Sequence, residues 1–408
     1  MSINLHFNRR MRVGGETLHG EVELQIPEII KDGVEEVNVK LRGRTYSRVT
    51  KEVGESELTY QEEIDILREC VSVWNKQSSS HSLTDRNTLR APFQFVLPSD
   101  VQPSFAGDKY GSLGNVYYSI EIVGVRPGFL SRDRKVPQPF AVVPPDPSGF
   151  KIRESLAGGW SGPLKTLTRN DSLRRGIWGS YAEARVELTL PDIPAIPLFA
   201  KIPFTLRIVT ETKEMKYDAD DKHKEVFPEP PSTPENVTFL LRRKLQMTAK
   251  GQSREKWETL SHLGGLGEQS SELQGGKPIT KGVSMTYDKW WIPSENDKHV
   301  GSWRQETTID SSFTLKCSPS FSSSILQPEN YLHVKVDFPG IKNDMKEDFP
   351  IEISSGVIAP SANDFKGTPL DQALESNLDL PEAYWSAKLW SKKRERTGLF
   401  RLNRLCGT

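Results

Sequence analysis

The sequence predicts an all-β protein: two consecutive immunoglobulin-like antiparallel β-sandwich domains, followed by a mostly irregular C-terminal tail. Three observations predict it. Apolar and polar residues alternate with period two along most of the chain, the pattern of strands with one wet face. Glycine and proline punctuate these stretches at short intervals without a βαβ rhythm, as sandwiches require. A length of 408 residues exceeds one ordinary core and suits two domains with linker and tail.

The elements follow in order. "ETLHGEVELQI" sets Leu18, Val22, Leu24 and Ile26 on one parity. "VEEVNVKLRG" does the same with Val37, Val39 and Leu41, while Asn38, Lys40 and Arg42 face the other way. Such alternation favours antiparallel sheets over doubly buried parallel ones. "PFQFVLP" and "VYYSIEIVGV" come next, and "PQPFAVVPPDPSG" closes the first unit, because proline cannot continue a ladder. Residues 149–180 lose the alternation and are rich in glycine, serine and basic residues, which reads as a linker or mobile insertion. Strands resume at "ARVELTLP", "KIPFTLRIVT" and "NVTFLLRRKLQM", and the last are "SSFTLKC", "YLHVKVDF" and "FPIEISSG". The expected organisation is a first sandwich over 1–148, a linker over 149–180, a second sandwich over 181–356, and an acidic-then-basic tail over 357–408 with a short amphipathic helix.

The two halves echo each other. Phe93, Phe95 and Leu97 alternate, Pro103-Ser104-Phe105 turns, Tyr118 opens a strand and Pro139-Phe140 opens a closing one. Phe313, Leu315 and Cys317 alternate, Pro319-Ser320-Phe321 turns, Tyr331 opens a strand and Phe349-Pro350 opens the closing one. Two sandwiches of related topology are expected.

Bulk composition excludes several function classes. With 54 basic and 54 acidic residues, binding nucleic acid through bulk charge is not expected. Cys70, Cys317 and Cys406 form no CxxC or metal-type spacing, so neither a disulfide framework nor a metal site is expected and a reducing interior suits the chain. No apolar run has the length of a signal peptide or a membrane span. "GGKPIT" places Pro278 where a phosphate-binding loop needs an amide, and "GWSGP" puts Pro163 where a nucleophile elbow needs glycine. The seven histidines show no ligand pairing, and His333 in "YLHVKV" is expected to face solvent. No catalytic residue, cofactor or metal site is predicted.

The string "PFQFVLPSDVQPSFAGDKYGSLGNVYYSIEIVGVRPG" resembles the N-terminal domain of the arrestin family. Pro92, Phe93, Phe95, Leu97, Pro98, Pro103, Ser104, Phe105, Gly114, Val116 and Tyr118 carry the likeness. "GGETLHGEVEL" and "VEEVNVKLRGRTYSRV" resemble that family's early strands, and "ARVELTLPDIPAIPLFAKIPFTLRIVTETK" the opening of its C-terminal domain. The flavour is that of alpha-arrestins, especially fungal ones. The resemblance implies the arrestin fold and an adaptor on membrane-protein cargo rather than an enzyme. Many alpha-arrestins recruit HECT-type ubiquitin ligases through Pro-Pro-x-Tyr. Here "VPPDPSG" and "PEPPSTP" lack the tyrosine and "LPEAY" has one residue too many, so recruitment through a partner is expected.

Candidate contacts follow. Lys40, Arg42, Arg44 and Arg48 lie near one strand end. Two readings stay open: a surface meeting phosphorylated or acidic cargo tails, since arginine forks suit phosphate, or a solvated outer sheet face. Arg126 belongs to a second basic stretch, and Trp74 opens the long polar segment Cys70–Arg90, read as a loop that contacts cargo or an unstructured insertion. In the tail, Tyr384, Trp385, Leu389 and Trp390 share one side of a short helix, with Lys392, Lys393, Arg394 and Arg396 beyond. Peripheral membrane contact, self-docking and a plain basic tail are its three readings. The functional expectation is a cytoplasmic adaptor, recruited to the plasma membrane or endosomes. It would link transporter or receptor tails to ubiquitination and endocytic trafficking. The alternative is a retromer-like or pH-signalling trafficking subunit of a stable complex.

Overall fold

Period-two alternation over the first 140 residues becomes two facing sheets. The structure, a computed structural model, describes all residues except 1, 78–86, 109–112, 128–133, 175–178, 180, 223, 225, 268–272, 275–276, 279–281, 341–342, 361–376 and 387–408. The first half runs β1 (Ile3–His6), β2 (Arg12–Val13), β3 (Thr17–Gln25), α1 (Ile26–Lys31), β4 (Glu36–Val53), β5 (Ser56–Asn75), β6 (Thr88–Val96), β7 (Phe105–Ala106), β8 (Gly114–Val125), β9 (Arg134–Phe140) and β10 (Val142–Val143). Sheet β1-β3-β6 faces sheet β5-β4-β8, on whose far edge β7 and β9 pair with β8. Leu18, Val22 and Leu24 from one sheet and Val37, Val39 and Leu41 from the other are fully buried between them.

The second half runs α2 (Pro147–Ala157), β11 (Leu164–Arg174), β12 (Tyr181–Pro191), β13 (Ile196–Pro197), β14 (Ile202–Glu211), β15 (Met215–Lys216), β16 (Val237–Ala249), β17 (Gln252–His262), the small pair β18 (Leu273–Gln274) and β19 (Lys277–Pro278), β20 (Ser284–Pro293), β21 (Val300–Phe313), β22 (Leu326–Asp337), β23 (Asp344–Ile351), β24 (Ile353–Ser354) and α3 (Glu382–Trp385). Sheet β11-β12-β14-β21, with β20 on the outer side of β21, faces sheet β17-β16-β22-β23. Both sandwiches are antiparallel apart from two short parallel ribbons, β2–β10 and β13–β24.

Those ribbons bear out the expected doubling at the level of single hydrogen bonds. In the first, Arg12 N donates to Ala141 O (2.9 Å) and Gly14 N to Val143 O (2.9 Å). In the second, Ile196 N donates to Glu352 O (2.8 Å) and Leu198 N to Ser354 O (3.0 Å). The Pro-Ser-Phe turns are equivalent too: Ser104 N donates to Val142 O and Ser320 N to Ile353 O, both at 2.8 Å. Gly15 adopts φ 84° and its counterpart Phe199 φ 61°, so the second copy holds a bulky residue where the first uses glycine. One pairing shifts. Tyr118 is opposite Phe140, and Asn330 is opposite Ile351, so the counterpart of Tyr118 is Asn330 and not Tyr331.

Other expectations are corrected. The linker stretch 149–180 holds most of α2 and all of β11, which pairs along its length with β12. Its residues are nearly all exposed, and a strand wet on both faces shows no alternation. Cys70 to Asn75, expected as loop, complete β5. Pro139-Phe140 ends β9 instead of opening a strand. His333 is only 8% exposed, because Arg242 and Asp348 converge on its Nδ1. Cys317 is a free thiol, whereas Cys70 is disulfide-bonded, against expectation.

The two cores exchange residues. Val237, Phe239 and Leu241 of β16 belong to the second core, while Leu245, Met247 and Ala249 of the same strand belong to the first. In return Met11, Val13, Ala141 and Val143 of the first ribbon pack into the second core. Close approach is helped by Gly114, where a Cβ would stand 2.5 Å from Leu326 Cδ2.

Candidate functional site

The basic row of β4 lies on the outer face of the first sandwich. Arg42 is opposite Ser119 of β8 and Arg68 of β5, and Lys40 is opposite Glu121 and Cys70. Alternation puts Lys40, Arg42 and Arg44 on one face, but the reading of a solvated face fails: Lys40 and Arg42 are each only 7% exposed. Burial lowers the pKa of Lys40, with Arg42 and Lys135 adding to it and Glu121 opposing. Burial likewise lowers Arg42, against Glu121 and Asp65, with Arg44 and Arg68 adding to it. Arg42 Nε has no hydrogen-bond partner among the described residues. For Arg44, burial is outweighed by Glu63, Glu121 and Asp65 and the pKa rises; Asp65 accepts from Arg44 Nε at 2.8 Å. Among the described residues Arg44, Arg68 and Lys135 act against the charged forms of Lys40 and Arg42 while Glu121 and Asp65 act for them, and an anion laid there would favour both charged forms.

The other candidates separate from this face. Arg48 is half-buried further along β4, with Nε unpartnered. Trp74 ends β5 and is 7% exposed inside the first core. Its reading as a partner contact is corrected, because indole burial and not loop exposure fixes its place. Arg126 follows β8 and pairs with Asp32 at 3.8 Å. Of the family-signature residues, Phe93, Phe95, Leu97, Phe105 and Tyr118 fill the first core, Pro103, Ser104 and Gly114 are buried, and Pro92 and Pro98 are exposed. Leu389, Trp390, Lys392, Lys393, Arg394 and Arg396 lie outside the described residues, as does the rest of the expected tail helix beyond α3.

Within the tail, residues 377–386 are docked between the sandwiches. Leu378 belongs to the second core, and Leu380 and Trp385 pack against it. Tyr384 is 2% exposed, with its ring 6.2 Å from that of Tyr117. Tyr384 Oη donates to Phe140 O (3.0 Å) and lies 2.8 Å from Ser104 Oγ. Burial pushes its phenol well above the ordinary range.

Sequence reasoning missed Arg243. It is 5% exposed, pairs with Glu258 (2.6 Å), donates to Ala106 O (2.8 Å) and lies 4.3 Å from the centre of the Phe105 ring. A basic residue on the apolar parity of "NVTFLLRRKLQM" was the available signal. Among the described residues no three metal-ligating side chains cluster. A cleft of about 580 Å³ lies at the end of β12, β14 and β21 and is lined by Glu183, Glu211, Glu214 and Glu295 beside Lys213. Glu211 there accepts from Ser302.

Comparison with known proteins adds one match. Residues 1–146 match the family model for the arrestin (or S-antigen) N-terminal domain. No curated protein matches the chain. The matched stretch ends three residues after β10, where the first sandwich closes. Residues 1–146 thus form an arrestin-type N-terminal domain, and behind it stands a second sandwich built on the same ribbon and turn.

Proposed function

We propose that the chain is a non-enzymatic adaptor that binds acidic or phosphorylated segments of membrane transporters or receptors and links them to ubiquitination and endocytic trafficking. The observation that supports this best is the buried basic pair, Lys40 and Arg42. A buried cation short of partners costs free energy, which an anionic peptide crossing β4 and β8 would offset. The arrestin-type N-terminal domain supports a role without catalysis, since arrestins are generally adaptors. The ligase arrives through a partner. Pro228, Pro230 and Pro231 of "PEPPSTP" are buried, and the carbonyls of Pro228 and Pro231 accept from Gln305 and Thr307, so the paired prolines are not free to dock elsewhere. No described helix is long and apolar enough to cross a membrane; the adaptor would meet its cargo at the plasma membrane or endosomes from the cytoplasm.

Proximity labelling in the native cell tests this with the full chain and a Lys40→Ala, Arg42→Ala variant. The expected set contains transporters or receptors together with ubiquitin or endocytic factors, and the variant loses the membrane proteins. A set without membrane proteins overturns the adaptor reading, and an unchanged set in the variant overturns the role of the basic pair.

A further inference from the structure

The strand β11 gains little from the core it borders. It pairs with β12 over its whole length, residue for residue and without a bulge. Among the described residues no strand pairs with its other edge. Only Leu173 of its 11 residues is buried, and Leu164 is 63% exposed. Apolar burial therefore does little to offset the backbone entropy of holding this stretch extended. Its stability rests on hydrogen bonds, and half of its backbone groups face away from β12.

Neighbouring contacts show which groups those are. Asp192 N donates to Pro163 O (2.9 Å), so by alternation the odd-numbered residues of β11 bond to β12 and the even-numbered ones point outward. Pro191 agrees: it has no N–H and lies opposite Leu164, where none is needed. At Arg174 the outward pair is closed, since its N–H donates to Asn343 (3.2 Å) and its carbonyl accepts from the Asn343 amide (2.9 Å). At Ser172 the N–H turns to the neighbouring Asp171 side chain (2.8 Å). The open edge runs from Leu164 to Ser172, with Thr168 at its centre.

That edge is complementary to itself. Antiparallel pairing about a two-fold axis at Thr168 sets Leu164 against Ser172, Thr166 against Asn170 and Thr168 against Thr168, all through outward backbone groups. Between them Lys165 meets Asp171. Leu167 meets the aliphatic stem of Arg169, whose guanidinium is held by Glu347 (3.3 Å). Opposite charges across strands stabilise a pairing and like charges oppose it. Neighbouring registers fare worse. Centring on Leu167 sets Lys165 against Arg169, and centring on Arg169 sets that arginine against itself. Centring on Asn170 needs the groups of Arg174 that Asn343 already holds. Charges on an edge strand guard it against promiscuous pairing; these also select one register with a second copy.

We propose that β11 of one chain pairs antiparallel with β11 of a second copy about Thr168, joining the two second sandwiches through one continuous sheet. Such an isologous contact closes on itself and recruits no further copies. It does not involve the basic face of β4, which lies on the other sandwich.

Sedimentation equilibrium and cysteine cross-linking on the full chain test this. The chain should dimerise reversibly with concentration. Thr168→Pro removes an outward N–H and leaves the ladder to β12 complete, as proline on an edge strand can. It should weaken association by at least about tenfold. Lys165→Asp should weaken it too, and adding Asp171→Lys should restore it, a rescue that a folding defect would not show. Thr168→Cys should give a disulfide-linked dimer under mild oxidation beyond any formed by the unaltered chain. Directly opposed Cα atoms of a hydrogen-bonded pair stand about 5.5 Å apart, within disulfide reach. Asn170→Cys, displaced from its own copy, should not cross-link. A chain monomeric at every concentration overturns the proposal and leaves the edge to an extended segment of another protein. A dimer indifferent to Thr168→Pro and to Lys165→Asp overturns it as well, as does cross-linking through Asn170→Cys in place of Thr168→Cys.

Discussion

Arg243 ties the seam together, since one guanidinium meets Glu258, Ala106 O and the Phe105 ring. Removing one partner of a buried ion pair costs about 3–5 kcal/mol because the other charge stays buried. Arg243→Ala should therefore lower unfolding free energy by about that much in urea. Arg243→Ala with Glu258→Ala should cost less than the sum of the single changes. A loss within the range of ordinary surface substitutions would contradict the burial argument. Cys317 gives a second prediction nearby. Burial pushes its thiol up to about 11 from 9.0, with Arg243 acting the other way. Between those values the unfolded chain has released a proton that the folded chain keeps, so this group's contribution falls as pH rises through 9 to 11 and is intact below. Native alkylation of Cys317 at pH 8 should be far slower than in denaturant, because the thiolate is the nucleophile. Equal rates in the two states, followed by mass spectrometry, would refute this.

Elements show what a single sequence can reveal and what it hides. Alternation located β3, β4, β6, β8, β12, β14, β16 and β22, because each has one apolar face. It missed β11, wet on both faces, and α2, a short helix opened by Pro147 with Asp146 as its cap. It could not show that β16 serves two cores, since Leu241 and Leu245 share a parity whichever sandwich receives them. The same limit applies to the binding face. The charge and parity of Lys40 and Arg42 were legible, but their burial was not, because parity alone assigns them to an outer face. Tyr384 was legible as one apolar residue of the tail, whereas its contacts with Ser104 and Phe140 join positions more than 240 residues apart, which no local pattern reports. Gly114 offers a test at this scale. A Cβ there would stand 2.5 Å from Leu326 Cδ2 and 3.4 Å from Tyr46 O. Leu326 is fully buried, so it cannot swing into solvent. Gly114→Ala should cost about 1–3 kcal/mol by overpacking, read from the shift of the urea midpoint; a neutral result would mean the seam yields at Leu326.

At the scale of the molecule, the exchanged core residues decide whether the two sandwiches are separate domains in the thermodynamic sense. Domains linked by a polar interface unfold independently, and relative motion is then the default. Here Leu245, Met247, Ala249, Ile325 and Leu326 are buried in the first core, and Met11, Val13, Ala141 and Val143 in the second. Unfolding either sandwich would expose the other's share of these side chains, at about 1.5–3 kcal/mol for each large one. Several such residues on each side come to a sum comparable with the whole stability of an ordinary domain. The full chain should accordingly show one calorimetric transition, with calorimetric and van't Hoff enthalpies in agreement. The family-matched stretch 1–146, produced alone, should bind hydrophobic dye or associate, since its ribbon and the groove that receives β16 would both be bare. Two resolved transitions in the full chain, or a monomeric and cooperatively folded 1–146, would show instead that the seam is an ordinary domain interface and that each repeat closes its own core.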